Sequence, residues 1–272
     1  MSGRAYPAWS LRRERAQAIA IDREPAEAVT REWALGGATG DGVSVCILDS
    51  GIEAGHPLVG EVASAVAVSL DGEEIRVEED REGDACGHGT ACAGIVHAVA
   101  PGAALHSVRV LGAGSTGSGE VLLAGLRYAV EQGFDIVNMS LSTTRRRFVE
   151  VLHELADTAY FRRTVIVASA HNMPVESFPW RFSSVLSVGS HDLPDPLAWY
   201  ANPEPPVEFF ARGVDVDVAW LGGGSLRCTG NSFATPHLAA ICALVLSKHR
   251  ELAPFQLKSV LYQTAANVGG GQ

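Results

Sequence analysis

The chain has no apolar stretch approaching the ~20 residues that cross a bilayer. Its opening, MSGRAYPAWSLRRERAQAIAIDRE, also has no continuous hydrophobic segment of the kind a secretory signal needs. A membrane span is excluded on this reading, and no signal peptide is expected. Basic residues are in deficit, with 21 Lys and Arg against 31 Asp and Glu and a formal charge of −10. No basic stripe offsets that balance, and the Arg145-Arg146-Arg147 triplet reads as a solvated helix start, so nucleic-acid binding is not expected. Cysteines are few and odd in number, at 46, 86, 92, 228 and 242, with no C-x-x-C pair. That leaves no basis for a structural zinc site and points to reduced thiols in a cytoplasm.

What is present is core material: 47% of the 272 residues are hydrophobic and only 19% charged. There is no internal repeat and no low-complexity linker. The composition changes near Gly42. Residues 1–32 are charged and alanine-rich, read as a helical extension packed on the outside, and 33–272 as one domain. Short apolar runs at 43–49, 104–111, 135–142, 164–170 and 184–190 have the length and β-branched content of strands buried on both faces. Helical patterns at 89–99, 118–133 and 146–161 separate them, and 255–268 reads as a closing surface helix. Alternation of this kind specifies an α/β fold: a mainly parallel central sheet with helices on both faces. Ligands in such sheets bind beyond the carboxyl ends of the strands, which directs attention to Asp49, Ser140 and Asn172.

Three stretches combine reactive side chains with turn residues. LDSGIEAGHP (48–57) places Asp49 at the end of a buried strand, and GHGTACAG (87–94) sets His88 between two glycines at a helix start. GNSFATPHLAA (230–240) puts Ser232 at the head of a deeply apolar helix, with Pro236 read as lying in its first turn. Each has an ordinary structural explanation: turn former, core histidine, helix cap. Together they supply what nucleophilic catalysis by serine requires, namely a base to take the hydroxyl proton and a carboxylate to orient that base.

The three motifs, in the order Asp, His, Ser, resemble those of subtilisin-like serine proteases (the subtilase family) from about Trp33 to about Asn267. The resemblance implies a three-layer subtilisin-like fold, a triad of Asp49, His88 and Ser232, and an oxyanion hole made by Asn172 and the Ser232 N–H. It implies a peptide or protein substrate bound as an extended strand, with walls at Gly117-Ser118-Gly119 and Ser140-Leu141-Ser142. The base of the first pocket is expected near Ser177, where Met173 and Glu176 would admit apolar or basic side chains.

The sequence departs from the family at several points. Ser142 replaces a common glycine and narrows the pocket, and His171 replaces the glycine before the oxyanion asparagine. Asn231 replaces the usual threonine before the nucleophile, and Arg212 a turn proline. The helix after His88 has no room for the calcium loop of secreted members, and Leu58 stands where an aspartate often follows H-P. No metal and no cofactor are expected, and EEIRVEED (73–80) is read as a solvated loop. Cys86, Cys92 and Cys228 are placed near the cleft, with Cys92 buried beneath the histidine. With no folding prodomain before the first strand, the expectation is a cytoplasmic serine endopeptidase that folds alone and processes a specific protein or peptide, as in leader-peptide removal. General peptide turnover and a non-catalytic peptide-binding module are the alternatives.

Overall fold

The computed structural model describes residues 28–114 and 116–268. Most of the expected helical extension at 1–32 therefore lies outside the described residues. A nine-stranded sheet forms the middle layer. Its inner strands are β1 (Ser44–Asp49), β4 (Ala104–Arg109), β5 (Ile136–Met139), β6 (Val165–Ser169) and β7 (Leu186–His191). They correspond to the five apolar runs, and all pair in parallel. β1 sits between β4 and β5, so both of its faces must be covered.

The alternation of side chains along a strand explains how this is done. Val45 and Ile47 of β1 join one core, while Cys46 and Leu48 join the other. The first core is built with α2 (His88–Val99) and α5 (Asn231–Lys248), and the second with α3 (Gly119–Gln132) and α4 (Val149–Phe161). α5 is buried continuously from Phe233 to Leu246, as a helix apolar on all sides must be. A short helix α1 (Arg31–Leu35) and the closing helix α6 (Pro254–Gln263) complete the described helices.

The segment 73–80 is not a loop. β3 (Glu74–Glu79) pairs antiparallel with β2 (Val62–Asp71) and forms the edge of the sheet, followed inward by β4. All six residues of β3 are exposed. With no buried face there is no alternation to read, and the strand is held by backbone pairing and by the exposed Arg76–Asp71 ion pair to β2. The charged side chains suit an edge that must not recruit a neighbour. Strands β8 (Trp199–Ala201) and β9 (Phe209–Arg212) extend the opposite edge, and β10 (Val216–Trp220) pairs with β11 (Gly224–Cys228) in a separate hairpin.

One ammonium group fastens α6 to the sheet. Lys258 Nζ donates to the carbonyls of Ser183 (2.7 Å) and Val185 (2.9 Å) and to Glu208 Oε1 (2.8 Å). All three protons have acceptors, and the side chain is only 18% exposed. Replacement by methionine leaves the Glu208 carboxylate half-buried without its cation. Lys258→Met is expected to lower the free energy of unfolding by about 2 kcal/mol, measured by denaturant titration, with Lys258→Arg recovering part of the loss.

Candidate active site

The reactive side chains gather at the carboxyl ends of the parallel strands. Asp49, the last residue of β1, is fully buried, and its Oδ1 lies 2.8 Å from His88 Nδ1. The same oxygen accepts the Ser50 N–H at 2.8 Å, so two donors converge on one carboxylate oxygen. His88 is the first residue of α2. Gly87 before it has φ +93°, a left-handed conformation, and a Cβ there would press on the Trp220 ring at 2.8 Å. At Gly89 a Cβ would stand 2.0 Å from the Gly51 carbonyl oxygen. The two glycines let the helix start close against the loop that follows Asp49.

A second acid, not singled out from the sequence, ties these segments together. Asp84 Oδ1 accepts from Ser50 Oγ (2.7 Å), Cys86 N (3.0 Å) and Gly87 N (2.8 Å). Its Oδ2 accepts from Thr90 N (2.7 Å) and Thr90 Oγ1 (2.6 Å). Ser50 Oγ in turn accepts the Gly89 N–H at 2.9 Å. Burial alone would push the Asp84 carboxyl up. The hydrogen bonds from the Thr90 hydroxyl, Cys86 N–H, Ser50 hydroxyl and Thr90 N–H outweigh that and hold it below its ordinary value. Its position four residues before His88, in a run of acids and glycine, was the only sequence signal.

Ser232 is the second residue of α5 and faces the same cavity as His88. No hydrogen bond joins Ser232 Oγ to the imidazole, a contact that commonly tightens only when substrate binds. The proline in this helix has a different place from the one expected. Pro236 is the sixth residue of α5 and lies beyond its first turn. Lacking an N–H, it cannot bond the carbonyl four residues back, which belongs to Ser232. Ser140 Oγ fills that vacancy, donating to Ser232 O at 2.7 Å. Ser140 also accepts from Asn138 Nδ2 (3.1 Å) and from the Cys92 thiol (3.4 Å). So Ser140 anchors the serine's backbone as well as lining the cavity.

Asn172 follows β6. Its Oδ1 accepts the Asn231 N–H at 2.9 Å. The direction of its amide is marked by Gly230: a Cβ on that glycine would be 3.5 Å from Asn172 Nδ2 and 3.3 Å from Ser232 Oγ. The nitrogen and the hydroxyl thus flank one small space.

The cavity between the two strand ends measures about 280 Å³ and is lined by Ser140, Leu141, Ser142, Ser169, Ala170, His171, Asn172, Leu111, His88 and Ser232. The other expected wall is built differently. Ser118 caps α3, accepting from Val121 N at 3.1 Å, and a Cβ on Gly119 would fall 1.9 Å from the Phe148 ring. Gly117 packs against Leu111, and it is Leu111 that reaches the cavity. Ser177 stands in the segment that pairs with the Ser140–Ser142 wall. It is fully buried, its hydroxyl accepting from Trp180 Nε1 at 2.8 Å, and it does not line the cavity. Thr143 and Phe178 exchange both backbone hydrogen bonds at 2.9 Å, which joins the Ser140–Ser142 wall to the 177–180 segment. Met173 and Glu176 line an adjoining cavity of about 450 Å³ that shares Ala170 and His171 with the first, and Glu176 is ion-paired there with Arg146 and Arg181. That carboxylate is already engaged by two guanidinium groups.

The model of the subtilase family matches residues 40–272. The chain belongs to the subtilase family. It is 32% identical over 248 residues to subtilisin DY of Bacillus licheniformis, covering 86% of this chain and 87% of that protein. M-protease of Shouchella clausii strain KSM-K16 is 31% identical over 244 residues, covering 86% of this chain and 61% of the relative. In fold it is similar to a cold adapted subtilisin-like serine proteinase of known crystal structure, with a TM-score of 0.67, 24% identity, and 85% and 87% of the two chains covered. As a subtilase it is a serine endopeptidase. Among the described residues no helix is long and apolar enough to cross a membrane.

The electrostatics follow from burial. Asp49 pushes the His88 imidazole up from 6.5 to about 9. Burial opposes this, and the Asp49 hydrogen bond and the Asp84 charge reinforce it. Cys92 meets Asp49 and His88 within 4.8 Å, but burial first and the Asp49 charge second push its thiol well above its ordinary value. It therefore stays protonated and acts as a donor to Ser140. Because the His88 pKa is raised on folding, the pair stabilises the fold fully below 6.5, and that contribution fades as pH rises through about 9. The His88 ring protons are expected to titrate by NMR with a midpoint well above 6.5. Asp49→Asn should move that midpoint down, and an unchanged midpoint would contradict the assigned cause.

Proposed function

We propose that Asp49, His88 and Ser232 act as the catalytic triad of this protease and that Asn172 Nδ2 and the Ser232 N–H bind the oxyanion. The observation that carries this reading is the 2.8 Å Asp49–His88 hydrogen bond, set beside a cavity that also holds Ser232 and Asn172. With Nδ1 engaged by Asp49, Nε2 of the neutral imidazole, the form that gains population as pH rises towards about 9, is left to take the Ser232 proton as Oγ attacks the scissile carbonyl. The imidazolium passes that proton to the departing amine, and the same base then activates water to release the acyl group. Asn172 Nδ2, which shares with Ser232 Oγ the small space beside Gly230, donates to the carbonyl oxygen as negative charge develops on it.

The substrate lies as an extended strand along Ser140–Ser142. The backbone groups of Leu141 and Ser142 make no backbone hydrogen bond among the described residues, which supports the addition of a peptide there. Leu111, Leu141 and His171 narrow the 280 Å³ cavity, and the Thr143–Phe178 pairing ties its wall to the neighbouring segment, so short side chains are favoured at the cleavage position. The biological task is limited processing of a specific cytoplasmic protein or peptide, such as removal of a leader segment. Buried, protonated thiols at Cys46, Cys92 and Cys242 suit a compartment that keeps cysteine reduced.

A fluorophosphonate probe should label Ser232 and nothing else in the folded chain. Ser232→Ala is expected to abolish labelling and lower kcat by at least about 10⁴-fold, and a folded protein that resists the probe would refute the triad assignment. In a peptide-library digest, Ala and Ser should exceed Phe, Lys and Arg at the cleaved position. Dominance of Lys or Arg would overturn the pocket assignment.

A further inference from the structure

The residue before the proposed nucleophile holds the loop on which the oxyanion donor stands. Asn231 makes hydrogen bonds in three directions. Its N–H donates to Asn172 Oδ1 at 2.9 Å. Its Nδ2 donates to the carbonyls of Ala170 (3.2 Å) and His171 (3.4 Å), in the loop between β6 and Asn172. Its Oδ1 accepts from both the N–H and the hydroxyl of Ser190 in β7, each at 2.9 Å. One carboxamide thus bridges two neighbouring strand ends while its backbone fixes the Asn172 side chain.

The chemistry needs all of these atoms. With Asn172 Oδ1 occupied by the Asn231 N–H, Asn172 Nδ2 must turn the other way, towards the space beside Ser232. The carbonyls of Ala170 and His171 need donors, and the Ser190 N–H and hydroxyl need an acceptor. A carboxamide supplies both kinds from one planar group, with two N–H donors and an oxygen with two lone pairs. A threonine or serine hydroxyl offers one proton and cannot serve both strands in this way. His171 adds a second tie within the loop, its Nδ1 accepting the Met173 N–H at 3.0 Å.

We infer that Asn231 is a positioning residue for the oxyanion hole, acting on turnover through the placement of Asn172. The inference rests on the reading of Asn172 as the oxyanion donor. It assigns Asn231 no contact with substrate, only control of where the Asn172 amide points and how firmly the loop behind it is held.

The test is a double-mutant cycle with a peptide amide substrate. Asn172→Ala is expected to lower kcat by about 10²–10³-fold. Asn231→Ala should lower kcat by roughly 10–100-fold, a fraction of that loss because the donor is misplaced rather than removed, with KM changing less than about twofold. The double variant should be no slower than Asn172→Ala alone to within about threefold, because Asn231 has nothing left to position. Affinity for a peptide aldehyde, which adds to the serine hydroxyl, should fall in step with kcat/KM. Ser190→Ala removes one bond to the carboxamide and keeps the test open if Asn231→Ala does not fold; it should lower kcat in the same non-additive manner by a smaller factor. Losses that multiply in the double variants, or an effect confined to KM or to thermal stability, would overturn the inference while leaving Asn172 as donor. An Asn172→Ala enzyme with full turnover would remove the oxyanion reading itself, and this inference with it.

Discussion

A carboxylate sealed at the carboxyl end of the most central part of the sheet sets the terms for everything around it. Asp49 is fully buried, so its charge needs partners that the sheet cannot supply. They come from the two segments that can be brought up against it: the Ser50 backbone and the His88 imidazole. Holding His88 at 2.8 Å requires the α2 start to approach more closely than any side chain at 89 would permit. Asp84 makes that approach durable by taking five hydrogen bonds from the two segments and the loop between them. One acid orients the imidazole and the other fixes the frame in which that orientation holds. The depth of Asp49 is thus linked to the glycines at 87 and 89 and to the acid at 84.

The helix that carries Ser232 meets a related demand by a different route. Pro236 interrupts the intrahelical ladder, and the unpaired carbonyl is that of Ser232 itself. Ser140, at the end of β5, satisfies it and is itself braced by Asn138 and Cys92. The gap left by the imino acid becomes the point at which α5 is fastened to the sheet. The serine backbone is therefore referenced to the same layer of strand ends as Asp49.

How much of this was legible in the sequence depended on how one-sided each signal was. The five inner strands announce themselves because burial on both faces leaves an unbroken apolar run, as in Ser44–Asp49. β3 has no buried face, and its acid-rich residues are indistinguishable from a loop until backbone pairing is seen. The three reactive side chains were legible because each sits at a chain reversal with its own glycine. Ser177, Ser118 and Gly119 had the right neighbourhood in sequence, but burial directs them inward, to Trp180, the α3 backbone and Phe148. Asp84 and Asn231 were not legible as network centres. Asp84 closes a local turn onto Cys86, Gly87 and Thr90, but its link to Ser50 and the link of Asn231 to Ser190 join residues far apart in sequence, and no local pattern encodes that convergence.

The Lys258 fastening has a consequence for the conditions in which the fold persists. Two backbone carbonyls and a carboxylate form the kind of oxygen-lined niche that dissolved cations occupy in many proteins. Here the positive charge arrives on a side chain, so its local concentration is fixed by the covalent chain and not by the surrounding solution. A chelating agent has nothing there to withdraw, and dilution cannot empty the niche. The closing helix and the segments it clasps thereby need no dissolved cation at this point.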